Sequence, residues 1–312
     1  MKSLYLISEF VGQPWAIQPE RLSIISAVLA RWAANGAASD AVMASVRADH
    51  AEVEARRSAA ASSGGASIGV LPLYGTVVQR TSVADDVSGS GFMSLTKFVT
   101  QLRAMADEPS VKGILLDIDS PGGSVYGTQE AASEIMALRA KKPIYAVANS
   151  LAASAAYWMG SAASEFYITP GGEAGSIGVF AAHRDMSVAL EKEGIKTTLI
   201  SAGKYKTEGN PFGPLSDEAQ AAMQSRIDAY YGAFTRGVAK ARGVDVGAVR
   251  EGMGQGRVLG ASDAVAAKMA DGVMTFDEVL SKLARDVSAS PAGKSGKMAR
   301  QRRELDLLSR SF

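Results

Sequence analysis

The chain has 312 residues, 47% of them hydrophobic and 21% charged, with 33 basic against 32 acidic side chains. That balance describes a globular protein of one large or two modest domains and provides no global attraction to nucleic acid or to an anionic membrane. The absence of cysteine excludes disulfide staples, thiolate metal sites and a cysteine nucleophile, and fits a reducing compartment.

The amino-terminal Met-Lys-Ser-Leu-Tyr-Leu-Ile-Ser reaches Glu9 before any apolar stretch of signal-peptide length, so secretion is not expected. Residues 22–30 are apolar but lie between Arg21 and Arg31, far too short a run to cross a bilayer. Their Leu22, Ile25, Leu29 and Trp32 recur at helical spacing, which predicts a face packed on protein rather than lipid. Residues 58–67 are rich in Ala, Ser and Gly and read as a linker, so residues 1–66 form a helical N-terminal extension with its linker. The same small residues make 58–67 a candidate for self-cleavage.

Beyond the linker, strand and helix patterns alternate. An extended stretch at 68–78 precedes a helix at 95–106 and a buried strand at 111–118 that ends in Asp119-Ser-Pro-Gly-Gly123. A helix at 124–140, a strand at 144–148, a helix opening near 153 and a strand at 165–168 follow. The pattern then predicts a strand at 176–180, a helix at 185–193, a strand at 197–201, a long helix at 216–242 and closing helices within 258–287. Such alternation implies right-handed crossovers and a largely parallel sheet, an α/β domain over 67–287. Residues 288–312 are polar and basic, with six Lys or Arg against two acids from Lys294 onward, and read as a flexible solvated tail.

Chemistry concentrates at the strand ends. Ser154, in Asn149-Ser-Leu-Ala-Ala-Ser-Ala-Ala-Tyr157, needs a base to become a nucleophile, and the chain has two histidines. His50 lies in an Ala/Arg/Glu-rich stretch, and His183 has no orienting acid at suggestive spacing. A lysine is the remaining base, with Lys204 and Lys206 in Gly203-Lys-Tyr-Lys206 as the rivals. To serve, it must lose its proton near neutral pH, against a free value of about 10.4, which calls for burial or a neighbouring charge. Tyr205, Thr207 and Phe212 are compatible with such burial.

Ser120-Pro-Gly-Gly123 follows a buried strand directly, where two glycines let backbone N–H groups approach a ligand, an oxyanion-hole design. The N–H of Ala155 is the second candidate donor. Taken singly, Pro-Gly-Gly reads as a turn, Ser154 as a helix cap and Lys206 as a surface charge; their order along an α/β pattern joins them. Asp117 and Asp119 lie nearby as strand-end turn residues without a catalytic role. Ala292-Gly-Lys-Ser295 lacks the earlier glycine and strand of a phosphate-binding loop.

Asp119-Ser-Pro-Gly-Gly123, Ala152-Ala-Ser-Ala-Ala-Tyr157, Gly175-Ser-Ile-Gly-Val179, Gly203-Lys-Tyr-Lys206 and Gly256-Arg-Val-Leu-Gly260 with Asp263-Ala264 together resemble the signal peptide peptidase A family of serine proteases. The resemblance covers about residues 68–273. It implies the Clp protease/crotonase-like fold with repeated β-β-α units, Ser154 as nucleophile and Lys206 rather than Lys204 as general base. It further implies oxyanion donors among Gly122, Gly123 and Ala155, with Ser176 and Gly178 orienting the lysine or the substrate. No metal or other cofactor is expected.

The soluble domain with its Pro14-Trp-Ala-Ile-Gln-Pro19 leader looks like the relatives in tailed phages and prophages that process capsid and scaffold proteins during head assembly. That implies a homo-oligomer acting on extended polypeptides in the host cytoplasm or the assembling prohead, without membrane or nucleic-acid partners. Small residues around Ser154 point to small or aliphatic side chains before the scissile bond. Other readings are a cytoplasmic signal-peptide or protein-degrading peptidase of the same family, an acyl-CoA enzyme of the crotonase type, and an inactive scaffold or shell protein.

Overall fold

The run Ile-Leu-Leu-Asp-Ile at 114–118 places apolar side chains on both of its faces, as a strand covered by helices on both sides does. It lies inside the main sheet of the computed structural model, which describes residues 12–23, 25–27, 67–80 and 92–289. In chain order the elements begin with β1 (Trp15–Ile17), β2 (Ser67–Tyr74), β3 (Thr76–Val78), β4 (Phe92–Ser94) and α1 (Leu95–Asp107). There follow β5 (Val111–Ser120), β6 (Gly122–Ser124), α2 (Thr128–Leu138), β7 (Ile144–Ala153), α3 (Ala155–Ser161), β8 (Glu165–Ile168), β9 (Glu173–Gly175) and α4 (Ser187–Lys192). The domain closes with α5 (Asp217–Arg242), α6 (Val246–Gly252), β10 (Val258–Gly260), α7 (Ala261–Ala266), β11 (Gly272–Val273) and α8 (Phe276–Ala289).

The class is α/β, and β-β-α units recur as β5-β6-α2 and in the neighbouring segments. The main sheet runs β10-β9-β7-β5-β2, with β8 on β7 and β11 on β8; β2, β5, β7 and β8 are parallel. Alternation along the strands divides the core. Ile114, Leu116, Ile118, Ala146 and Ala148 face α1, α2, α3 and α5, whereas Leu115, Tyr145 and Val147 face α8 through Val279 and Leu283. β7 changes neighbours along its length: 145–148 pair with β8 and 151–153 with β9. Its far end is therefore carried out of the sheet's centre toward Ser154.

The long helix is delimited as its sequence predicts. Ser216 accepts a hydrogen bond from the Ala219 N–H, acidic residues fill the first turn, and Gly243 ends the helix at φ 65°.

Four expectations are corrected. Residues 176–180 are not a strand: the strand is 173–175, and only Phe180 makes a bridge, to Trp15. Residues 197–201 form no strand either, because their β-branched run meets no partner strand among the described residues; Leu199 and Ile200 are 43% and 96% exposed. The helix expected from 124 begins at Thr128, since Gly122–Ser124 is extended and Gly127 turns the chain at φ 82°. The N-terminal extension is not separate and helical throughout: β1 is a strand paired with β6. Residues 19–23 and 25–27 are helical, and Leu22 and Ile25 pack with Trp15, Ile17 and Phe180, as their spacing predicted. Leu29, Trp32, His50, the linker 58–66 and the tail from 290 lie outside the described residues. Among the described residues no helix is long and apolar enough to cross a membrane.

One polar lock ties the end of α5 to the sheet. Arg242 donates two hydrogen bonds to Asp271 (2.8 and 2.9 Å) and one to the Lys268 carbonyl, and Asp271 also accepts the Phe166 N–H at 2.7 Å. Burial opposes the charge of Asp271, but the hydrogen bonds from Arg242 and Phe166 outweigh it and hold the carboxyl below its ordinary range. A depressed carboxylate stabilises the fold above its unfolded value, about 3.9, and that contribution is lost as pH falls through the folded value. Arg242→Met is therefore expected to lose about 2 kcal/mol at neutral pH. Urea melts across pH should show the gap to the parent protein narrowing below about pH 4.

Candidate active site

β7 ends at Ala153 and α3 begins at Ala155, and Ser154 is the single residue that turns the chain between them, at φ 56° and ψ −117°. A non-glycine residue in this region is strained, and it is held there by its neighbours. The Ser154 N–H donates to the Gly175 carbonyl at 2.6 Å, and the Ser154 carbonyl accepts the Trp158 N–H at 2.9 Å. Its hydroxyl has only a long contact, 3.4 Å, to the Gly178 carbonyl. The side chain is thus fixed in place by its backbone while its oxygen stays loosely bound, which suits a nucleophile awaiting a substrate.

The glycine strand β6 passes directly beside it. A Cβ placed on Gly122 would stand 2.9 Å from the Ser154 Cβ and 2.8 Å from the Ala153 carbonyl oxygen. Gly122 has φ 93°, and its N–H is directed inward to the Ser120 hydroxyl at 3.2 Å, which in turn donates to the Gly75 carbonyl at 2.6 Å. Gly123 stands in the ladder between β1 and β3, opposite Ala16 and Val77. Ala155 opens α3, and a first-turn N–H has no intrahelical acceptor. The structure thus brings Ser154, Gly122, Gly123, Ala155 and Gly178 together.

Ser176 lies in the same neighbourhood, buried, at φ 54°, its N–H bonded to the Arg257 carbonyl at 2.8 Å. Among the described residues its hydroxyl takes no partner, so it is available to a group arriving from outside the fold. Asp119 accepts a hydrogen bond from Ser150 (2.6 Å), and Asp117 accepts one from the Tyr74 hydroxyl; both brace strand ends, in keeping with their reading as structural.

Lys206 is not brought to the serine within the single chain. It lies in the exposed turn 203–209, and among the described residues its Nζ makes no hydrogen bond or ion pair. The burial anticipated from Tyr205 and Phe212 is absent: Tyr205 is 53% exposed and Phe212 is half-buried. Lys204 is tied to the surface instead, donating to the Tyr205 hydroxyl (2.7 Å) and to Glu218 (3.1 Å). Those two bonds raise its pKa, the wrong direction for a general base. His183 uses Nε2 to donate to the Asn210 carbonyl at 2.9 Å.

Sequence reasoning missed the neighbours contributed by β1. Trp15 exchanges two backbone hydrogen bonds with Phe180 (2.8 and 3.0 Å), so β1 runs between β6 on one side and Phe180 on the other. The available signal was Pro14-Trp-Ala-Ile-Gln-Pro19: Gln18 precedes a proline and is biased toward extended backbone, and Pro19 suits the first turn of a helix.

The sequence profile of Peptidase family S49 matches residues 136–290. Capsid assembly protease C of Escherichia phage lambda is 36% identical over 230 residues, 73% of this chain and 51% of that protein. Head-tail preconnector protein GP5 of Enterobacteria phage P21 is 36% identical over 227 residues, 72% of this chain and 44% of that protein. The chain thus spans about half the length of these two relatives. The chloroplastic Serine protease SPPA of Arabidopsis thaliana is 30% identical over 178 residues, 57% of this chain and 26% of that protein.

Proposed function

The chain belongs to Peptidase family S49, and on that footing we propose that it is a serine endopeptidase that cuts capsid or scaffold polypeptides during phage head assembly. The observation that carries the chemistry is Ser154, held at a strained strand-to-helix junction beside the glycine strand β6. The phage setting is supported by the two phage relatives, which match at 36% identity over more than 70% of the chain, against 30% over 57% for the chloroplast protease.

In this reading the Ser154 oxygen attacks the scissile carbonyl while a neutral Lys206 amine takes its proton. The N–H groups of Gly123 and Ala155 receive the oxyanion, and Ser176 orients the amine. The protonated lysine then gives its proton to the leaving amine, and water, deprotonated by the same lysine, releases the acyl group. Gly122 supports this arrangement through the Ser120 hydroxyl rather than as a donor.

Because Lys206 stands exposed in one chain, the dyad is completed on assembly. Leu199, Ile200 and Tyr205, in the segment that leads to it, are exposed, and covering this segment against a neighbouring copy removes water from the amine, the change that favours its neutral form. Mixing Ser154→Ala with Lys206→Ala protein reads how the two halves are shared: regained activity places them on different copies, and none places them on the same copy.

Intact mass after treatment with a fluorophosphonate, with peptide mapping, tests the nucleophile. One adduct, on Ser154 and absent from Ser154→Ala, is expected; an assembled sample that takes no adduct would favour the inactive shell-protein reading.

A further inference from the structure

We infer that residues 14–18 fill the slot in which an extended polypeptide binds for cleavage, so that the chain occupies its own active site and substrates must displace it. The inference rests on the proposed roles of Ser154 and Gly123. β1 is antiparallel to β6, with Trp15 opposite Ser124, Ala16 opposite Gly123 and Ile17 opposite Gly122. The Gln18 N–H donates to the Pro121 carbonyl (3.1 Å), and the Val125 N–H to the Pro14 carbonyl (3.5 Å). In an antiparallel pair hydrogen-bonded rungs recur at every second residue, so the rung midway between these two, Ala16 with Gly123, is of the same kind. The Ala16 carbonyl therefore faces the N–H assigned to the oxyanion.

Three further observations distinguish an occupant from a wall. The place where a Gly122 Cβ would lie is 2.3 Å from the Ala16 oxygen and 2.9 Å from the Ser154 Cβ, so glycine at 122 makes room for a peptide backbone against the serine. With β1 in place Ser154 is only 1% exposed, which leaves no room for a substrate backbone beside it. On its outer edge β1 bonds to Phe180, two residues from the Gly178 carbonyl that touches the serine hydroxyl. Two strand edges that flank the nucleophile are thus bridged by one short segment, in the manner of β-strand addition. Trp15 and Ile17 anchor it in an apolar cluster with Leu22, while alanine, the smallest side chain of the three, stands at the reacting position.

The test is peptide binding to Ser154→Ala protein, which reads occupancy without chemistry. A fluorescein-labelled Pro-Trp-Ala-Ile-Gln peptide, the sequence of 14–18, is followed by fluorescence polarisation. Ala16→Pro removes the N–H of the central rung and is expected to free the slot, so the peptide should bind that variant at least about 10-fold more tightly than its parent. A second form avoids reliance on that variant's folding: a site-specific protease sequence placed within 58–66 is cut, and the labelled peptide should then replace the released N-terminal piece. Equal binding to cut and uncut protein, or binding to neither, would show β1 to be a fixed wall and overturn the inference. Fluorophosphonate labelling of the cut protein without the Ser154→Ala change bears on the dyad alone, so the two readings fail separately.

Discussion

Lys206→Ala is expected to slow acylation of Ser154 by about 10³-fold or more without lowering thermal stability. The rate falls because a serine hydroxyl without a base is a poor nucleophile, and neither His183 nor Lys204 is placed to substitute. His183 is bonded to the Asn210 carbonyl, and Lys204 is held in its charged form by Tyr205 and Glu218. Stability is unaffected because the exposed Nζ has no hydrogen bond or ion pair to lose among the described residues; such surface changes stay within about 0.5 kcal/mol. Lys206→Arg should fail as fully as alanine, since a guanidinium keeps its proton and cannot accept one. Lys204→Ala, by contrast, should leave the rate within a few-fold of the parent. Stopped-time labelling of the four proteins at one pH, read by intact mass, checks the series. Near-parental labelling of Lys206→Ala would remove the lysine from the mechanism, whatever became of Ser154.

Most of the sheet was legible because its strands obey local rules. The buried runs at 111–118, 144–148 and 165–168 are apolar and bounded by turn residues, and each appears as a strand. The place of Ser154 was legible for a related reason: a buried strand followed by a run of small residues puts it where strand passes into helix. What escaped was set by partners distant in sequence. β1 is three residues long and extended because Gly122–Ser124 and Phe180, more than 100 positions away, offer it two edges. Residues 197–201 show the converse: Thr-Thr-Leu-Ile is rich in β-branched side chains like a strand, yet no strand edge among the described residues lies beside it, and Ile200 remains in solvent. The relation of Lys206 to Ser154 was not legible either, because two residues 52 positions apart carry no local signal of their distance, and the single chain does not join them.

Gly123→Ala is expected to cause the largest loss of stability of any single methyl added to the described glycines of this domain. A Cβ at 123 would lie 1.9 Å from the Val77 carbonyl oxygen and 2.6 Å from that residue's carbonyl carbon and nitrogen. All three atoms are backbone, so no side chain can rotate away; β3 and β6 must separate. That separation breaks the four-stranded sheet β1-β6-β3-β4 at its middle and releases β6 from Ser154 at the same time. A penalty above about 4 kcal/mol is the expected scale for a clash of this kind, large against the 5–15 kcal/mol that typically holds a domain together. Gly171→Ala is the matched control, since nothing lies within 4 Å of its added methyl and its backbone is not left-handed, and it should melt with the parent. Urea denaturation of both variants, paired with Ser154 labelling, reads the coupling: Gly123→Ala should lose its folded baseline and its adduct together. A Gly123→Ala protein that melted like the parent but no longer labelled would show β6 to be free to shift, its glycine needed for the reacting oxygen alone.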